Sequence, residues 1–212
     1  MKEVIFLSGI DTDAGKTYAT AFLTRRLSDS GLKVITQKFI QTGCTESSED
    51  IEAHRRLCGT DLLPEDLDGT TAPVIFTYPA SAQLAARIDG REIDLEIIDR
   101  ATAKLLESYD TVIIEGAGGL MVPIDDNTFT IDYVTSRRLP MVLVTNSRLG
   151  SINHTVLSLE AIKVRGIELK AVIFNHHFDN DPVIAADTRA FTERYLKKHF
   201  PKTEIIDMPS LI

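Results

Sequence analysis

An apolar run, Val4-Ile5-Phe6-Leu7, passes directly into Ser8-Gly9-Ile10-Asp11-Thr12-Asp13-Ala14-Gly15-Lys16-Thr17. A short buried strand that turns through glycines and ends in Gly-Lys-Thr at the head of a helix leaves few folds open. The turn's backbone N–H groups and the helix start attract phosphate oxygens. Lys16 adds a positive charge, and the Thr17 hydroxyl suits a Mg²⁺ ion. The spacing from Gly9 is G-x5-G-K-T, one residue longer than the usual pattern, whose first glycine would fall at Ile10. The segment predicts a phosphate-binding loop for a nucleoside triphosphate. The plain alternative is an ordinary strand–turn–helix with an accidental Gly-Lys-Thr, which must also explain both flanking elements.

The rest of the chain alternates between strand and helix. Residues 17–29 carry Ala19, Phe22, Leu23 and Leu27 at helical spacing and stop at Gly31. A strand is expected over 33–39, a helix over 48–58, and a loop around Pro64, Asp66, Asp68 and Gly69. Helices follow over 82–88 and 95–108, then a strand over 111–114 and a long loop over 116–130. The last third reads as strand 141–145, helix 151–165, strand 169–174, helix 183–198 and strand 203–206. Val4–Leu7, Val112–Ile114 and Met141–Val144 are apolar throughout, which implies burial on both faces. The expected class is α/β, a mostly parallel sheet covered by helices on both faces, as one P-loop domain over 1–212. Ligands in such sheets bind at the carboxyl ends of the strands, so the residues just after each strand carry the information.

Charge narrows the partners. With 23 basic against 31 acidic residues the net charge is −8, which argues against a general nucleic-acid or anionic-membrane surface. A phosphate ligand then needs a local positive pocket that works against the overall field. Cys44 and Cys58 have no metal-ligand spacing, and two free thiols in a reducing compartment are expected. No basic, apolar leader opens the sequence and no apolar run approaches the ~20 residues of a membrane span, so a cytoplasmic protein is expected.

After the second strand comes Lys38, with Thr42-Gly43 four residues on. A lysine at a strand end is ordinarily a solvated charge, and a catalytic role needs further context. Glu115 ends a buried strand ahead of Gly116-Ala117-Gly118-Gly119, where P-loop enzymes place the acid that holds or orients Mg²⁺. The glycines let backbone approach a ligand closely. Asp50 stands near a helix start, where capping alone accounts for an acid unless a metal lies beside it. Arg148 to His154 opens a later helix, whose free N–H groups suit an anion. Asn175 suits a purine edge, whereas the adjacent His176 and His177 point apart and read as a surface pair.

These segments together resemble the dethiobiotin synthetase family. The matching pieces are Gly9 to Thr17, Lys38 with Thr42-Gly43, Val112 to Gly119, and Leu149-Gly150-Ser151-Ile152-Asn153-His154. Asn175 and Met208-Pro209-Ser210-Leu211 complete the match, in family order over nearly the whole chain. Two departures are Phe39, where the family has proline, and Ser81-Ala82-Gln83, where it has Ser-Pro-His.

The resemblance implies an ATP- and Mg²⁺-dependent ring closure of 7,8-diaminopelargonate with CO₂ (supplied as bicarbonate) to dethiobiotin, through a carbamate and a carbamic–phosphoric anhydride. It implies catalytic roles for Lys16, Lys38 and Thr12, and Mg²⁺ held by Thr17, Asp50 and Glu115. The nucleotide would lie against Asp13, Ala14, Gly15, Lys16, Thr17, Tyr18, Asp50, Glu115, Gly116, Ala117, Gly118, Asn175, His176, Pro209, Ser210 and Leu211. The substrate would meet Thr12, Lys38 and Thr42, with its carboxylate on Gly150, Ser151, Ile152 and Asn153 of a neighbouring subunit in a homodimer. Two other classes share the loop: a nucleotide-switch ATPase of the partitioning or septum-placement kind, and a non-catalytic nucleotide-binding module. The switch proteins usually carry an extra lysine early in the loop, and Ser8–Ile10 has none.

Overall fold

The computed structural model describes residues 2–210. Strand β1 is Glu3–Gly9, β2 Val34–Lys38, β5 Thr111–Gly119, β6 Met141–Asn146, β7 Leu169–Asn175 and β8 Glu204–Met208. They form one sheet in the order β2-β5-β1-β6-β7-β8, with every neighbouring pair parallel. Every residue of β6 is buried, as is each of Thr111–Gly116 in β5. The continuous apolar runs therefore mark strands covered on both faces, as expected. Helices α1 (Lys16–Asp29), α2 (Glu49–Cys58), α5 (Leu95–Ser108), α7 (Ser151–Val164) and α8 (Pro182–His199) provide the cover. No helix of the described residues is long and apolar enough to cross a membrane.

Register decides what stands together at the carboxyl edge. Glu115 lies opposite both Lys38 of β2 and Leu7 of β1, two residues before β1 ends at Gly9 and the loop begins. In the other half of the sheet Asn146, Asn175 and Met208 fall in one row. The glycine loop with Glu115 and Lys38, and the row of Asn146, Asn175 and Met208, thus occupy adjacent stretches of one edge.

The connections depart from the sequence expectations in three places. Two-residue strands β3 (Gln41–Thr42) and β4 (Ile75–Phe76) pair in a separate small parallel sheet, too short for any periodic signal. A single helical turn, α3 (Pro64–Leu67), replaces part of the expected loop and starts on its proline. Helix α4 (Ala82–Ile88) stands where expected, and Gln83 Nε2 donates to Asp126 Oδ1 at 2.6 Å. The long loop over 116–130 is a correction. Strand β5 runs on through Gly119, Pro123 bridges Phe129, and α6 (Thr130–Arg137) follows. Its β-branched and polar composition carries little helix propensity, so packing of Ile131, Tyr133 and Val134 into the core settles it. Phe39 is buried edge-on to Phe6 at 5.4 Å and tilted against Tyr133 at 4.7 Å between ring centroids. An aromatic cluster thus backs the chain just after Lys38.

Candidate active site

The loop between β1 and α1 depends on Gly15, which has φ 88°. A Cβ there would lie 2.2 Å from Asn175 Nδ2, so both conformation and space call for glycine. Asn175 donates to the Ala14 carbonyl at 3.1 Å and accepts from the His177 N–H at 3.0 Å, which pins the loop to the end of β7. Lys16 folds back over the loop and donates to the carbonyls of Asp11 and Thr12, each at 2.9 Å. Burial, followed by the nearby Lys38 charge, lowers its pKa to about 8.

Lys38 is no solvated strand-end charge. It is buried, with Nζ 2.5 Å from Asp50 Oδ2, 2.8 Å from Glu115 Oε1 and 3.3 Å from the Gly116 carbonyl. Thr17 Oγ1 donates to Asp50 Oδ1 at 3.0 Å and to Glu115 Oε1 at 3.3 Å. The three oxygen-bearing residues expected around Mg²⁺ therefore converge, although they are 33 and 98 residues apart. Burial opposes charge on Glu115, but Lys38 and His54 outweigh it and hold the carboxyl well below the usual range. Burial likewise disfavours the Lys38 ammonium, and Glu115 with Asp50 reverse this and raise its pKa. The pair remains ionised because each member supplies what the other lost from water.

Helix α2 delivers Asp50. Ser48 caps it by accepting from the Ile51 N–H at 3.2 Å and donates to Gln41 Oε1 at 2.6 Å, which ties the helix start to the cleft. The same helix carries His54, whose Nε2 lies 2.7 Å from Glu115 Oε2 and whose Nδ1 lies 3.1 Å from Thr36 Oγ1. Thr20 Oγ1 donates to Glu115 Oε2 at 2.7 Å. Neither His54 nor Thr20 was anticipated from the sequence. The available signals were the i,i+4 spacing of Asp50 and His54 and the i,i+3 spacing of Thr17 and Thr20, each on one helix face.

A cleft of about 460 Å³ opens over this cluster. Of the anticipated residues it takes in Thr12, Asp13, Gly15, Lys16, Thr17, Tyr18, Lys38, Thr42, Asp50, Glu115, Gly118, Asn175 and Pro209. Ile40, Gln41, His177, Phe178 and Met208 complete its wall. Ala14, Gly116, Ala117, Ser210 and Gly150–Asn153 do not line it, and Leu211 lies outside the described residues. Gly116 meets an internal need, since a Cβ would come 3.0 Å from the Phe6 ring and 3.4 Å from the Leu7 carbonyl. The expected surface pair of histidines divides. The His176 ring is engaged by Asp179 and Asp207 at 2.6 and 2.9 Å, so His177 rather than His176 presents its side chain to the cleft.

The donors suit a hard divalent ion. One hydroxyl and two carboxylates face one point, and a cation, Lys38 Nζ, already bridges the two acids. Among the described residues no group of three or more His, Cys, Asp or Glu forms a ready metal cage. Mg²⁺ needs none, because it takes one or two carboxylates and completes its shell with water and phosphate. Beside the main cleft, a shallower one of about 360 Å³ shares Thr12 and is lined by His154, Leu157 and Met121. At its rim Asp11 Oδ2 lies 3.8 Å from Arg148 and 4.0 Å from His154.

Residues 3–209 match a family model described as an AAA domain. A solved ParA family ATPase from Chlorobium tepidum TLS superposes with a TM-score of 0.54 at 19% identity, covering 98% of this chain and 85% of that one. At that identity the likeness shows the fold alone. Curated relatives are far more similar in sequence. "ATP-dependent dethiobiotin synthetase BioD 2" of Haemophilus ducreyi is 49% identical over 98% of this chain and 99% of its own length. The protein of the same name from Pasteurella multocida is 45% identical over the whole of both chains. "ATP-dependent dethiobiotin synthetase BioD" of Chlorobaculum tepidum is 49% identical over 97% of this chain and 87% of its own. With that similarity end to end and a phosphate loop built into a parallel sheet, the chain belongs to the ATP-dependent dethiobiotin synthetases, a family of C–N bond-forming ligases.

Proposed function

We propose that this chain, as a single domain over 1–212, closes 7,8-diaminopelargonate with CO₂ and ATP to dethiobiotin, ADP and phosphate. The observation that carries this is the meeting of Thr17, Asp50, Glu115 and Lys38 beside the loop. One substrate amine adds to CO₂ and loses a proton, giving a carbamate. A carbamate oxygen attacks the γ-phosphorus and displaces ADP, which leaves a carbamic–phosphoric anhydride. The second amine attacks the anhydride carbon and loses a proton, phosphate departs, and the ring is closed. No protein nucleophile is needed.

The chain's part is to bring two anions together and to hold them. Carbamate and γ-phosphate repel by roughly several kcal/mol at an effective dielectric near 20. Lys16 from the loop and Lys38 from β2 approach from two sides with the charge that offsets this. Thr17, Asp50 and Glu115 would hold Mg²⁺, which when bound shields the phosphate oxygens during transfer. On this reading Thr12 and Thr42, which line the cleft, serve the carbamate, and Asn175, His177 and Pro209 serve the base. The amides of Gly150–Asn153 lie outside their own cleft, which supports delivery of the substrate carboxylate site to a partner in a homodimer. Two free thiols support work in a reducing cytoplasm.

Mass detection of dethiobiotin, with ADP formed in equal amount and dependence on both diaminopelargonate and bicarbonate, tests the reaction. Phosphate release that ignores both but responds to DNA, lipid or a protein partner would overturn it in favour of a switch ATPase. Nucleotide binding without turnover would leave only a binding module. Sedimentation showing a fully active monomer at assay concentration would contradict the dimer.

A further inference from the structure

Glu115 is held from four directions. Oε1 receives Lys38 Nζ at 2.8 Å and Thr17 Oγ1 at 3.3 Å, and both donors also line the cleft. Oε2 receives Thr20 Oγ1 and His54 Nε2, each at 2.7 Å, and both of these are 0% exposed and absent from the cleft wall. A carboxylate has about four lone-pair directions, and the donors on its two oxygens come from different environments: those on Oε1 line the cleft, and Thr17 among them would turn its own oxygen to the ion. Oε1 meets the ligand side and Oε2 meets the protein interior.

A chain of polar contacts fixes His54 from behind. Its Nδ1 lies 3.1 Å from Thr36 Oγ1, which also accepts from Arg55 Nη1 at 2.9 Å. Arg55 in turn makes a two-bonded pair with Asp66, each bond 2.8 Å. Asp66 accepts further from the Leu63 N–H at 2.7 Å and from Thr71 Oγ1 at 2.8 Å. Ionised Glu115 can only accept, so Nε2–H is the donor to it, and Nδ1 pairs with the Thr36 hydroxyl. Each group has one role, and the imidazole has a single orientation that satisfies both neighbours.

We propose that His54 is a positioning residue for the reaction, which together with Thr20 engages Oε2 of Glu115 and leaves Oε1 as the one oxygen this carboxylate turns toward the cation and phosphates. This rests on the Mg²⁺–nucleotide reading of the site given above. The terminal carboxylate torsion of a glutamate is broad, so without His54 the carboxylate plane is free to swing and the oxygen facing Thr17 no longer holds one position. An imidazole held in one orientation removes that freedom.

Three variants test it in the full-length protein: His54→Leu, His54→Gln and Thr36→Val. The measurement is ADP binding by calorimetry over a Mg²⁺ series, beside steady-state kinetics. In His54→Leu the half-saturating Mg²⁺ should rise about 10- to 100-fold, as for loss of an outer-shell partner, with ADP affinity in the absence of Mg²⁺ held within about twofold. The kcat should fall while KM for the diamino substrate stays within about twofold. His54→Gln places an amide nitrogen near the position of Nε2 and should return the Mg²⁺ dependence to within about threefold of wild type. Thr36→Val frees Nδ1 and should fall between the two, which keeps the test alive if His54→Leu fails to fold. A wild-type Mg²⁺ dependence in His54→Leu, with only a lower melting temperature, would reduce His54 to a core residue and overturn the proposal. A wild-type protein whose ADP binding ignores Mg²⁺ would instead bring down the underlying reading.

Discussion

Replacing Lys38 by glutamine removes a charge that two carboxylates share. Nζ lies 2.5 Å from Asp50 and 2.8 Å from Glu115, and the lysine is only 4% exposed. At 2.8 Å and an effective dielectric near 20 the attraction to Glu115 is about 6 kcal/mol before desolvation is set against it. Breaking a buried pair by deleting one partner costs about 3–5 kcal/mol, because the other charge is left buried and unpaired. The Asp50 side chain is 27% exposed and recovers some hydration, so the lower part of that range applies to its share. For 212 residues the entropy of unfolding is about 0.45 kcal/mol/K, so 3–5 kcal/mol lowers Tm by about 7–11 °C. Turnover should fall as well, by about 30- to 1000-fold, if the ammonium meets charge that develops during transfer as proposed. Differential scanning calorimetry without nucleotide separates the two effects. The double variant Lys38→Gln/Glu115→Gln should regain much of the lost Tm while remaining inactive, because the orphaned charge is gone. A Lys38→Gln protein that melts within about 2 °C of wild type would refute the shared-charge account.

Lys16 gives a pH dependence. With its pKa lowered to about 8 by burial and by Lys38, the ammonium is present below that pH and lost above it. Affinity for a non-hydrolysable ATP analogue should therefore fall as pH rises from 7 to 9.5, and a flat profile would contradict the assignment. The same shift has the opposite sign for stability. Between about pH 8 and 10.5 the unfolded chain binds more protons than the folded one, so this group's contribution to stability rises with pH there. Gly15→Ala should abolish nucleotide binding and lower Tm, since φ 88° and the Asn175 amide leave no room for a Cβ. Asn175→Ala leaves the Ala14 carbonyl and the His177 N–H without their partner, so equilibrium unfolding should show a loss of about 1–3 kcal/mol, with weaker ATP binding. An unchanged denaturation midpoint would show that water replaces the amide.

Several features were legible in the residue string because they are local. The strand–glycine loop–helix at the N-terminus depends on contiguous residues, and so do the buried strands whose apolar runs have no polar face. Short elements escaped for the converse reason. The paired strands at Gln41–Thr42 and Ile75–Phe76 and the helix Thr130–Arg137 exist through what they pack against, and their own propensities are weak.

The residue types of the site could be listed from sequence, but only the register of the sheet decided which of them stand together. Lys38 and Asp50 each had an ordinary reading, as a solvated strand end and a helix cap. Pairing Lys38 with Glu115 across β2 and β5 turned the first into a buried charge, and the cap on α2 brought the second to it. The i,i+4 spacing of Asp50 and His54 puts both on one helix face, but nothing in it points to Glu115 or to the line through Thr36, Arg55 and Asp66, because a hydrogen bond between residues 54 and 115 leaves no trace along the chain. Sequence determines periodicity and local backbone, which need only neighbours along the chain. Which buried polar groups satisfy one another is decided by tertiary structure, since each must find its partner wherever the fold has brought one within about 3 Å.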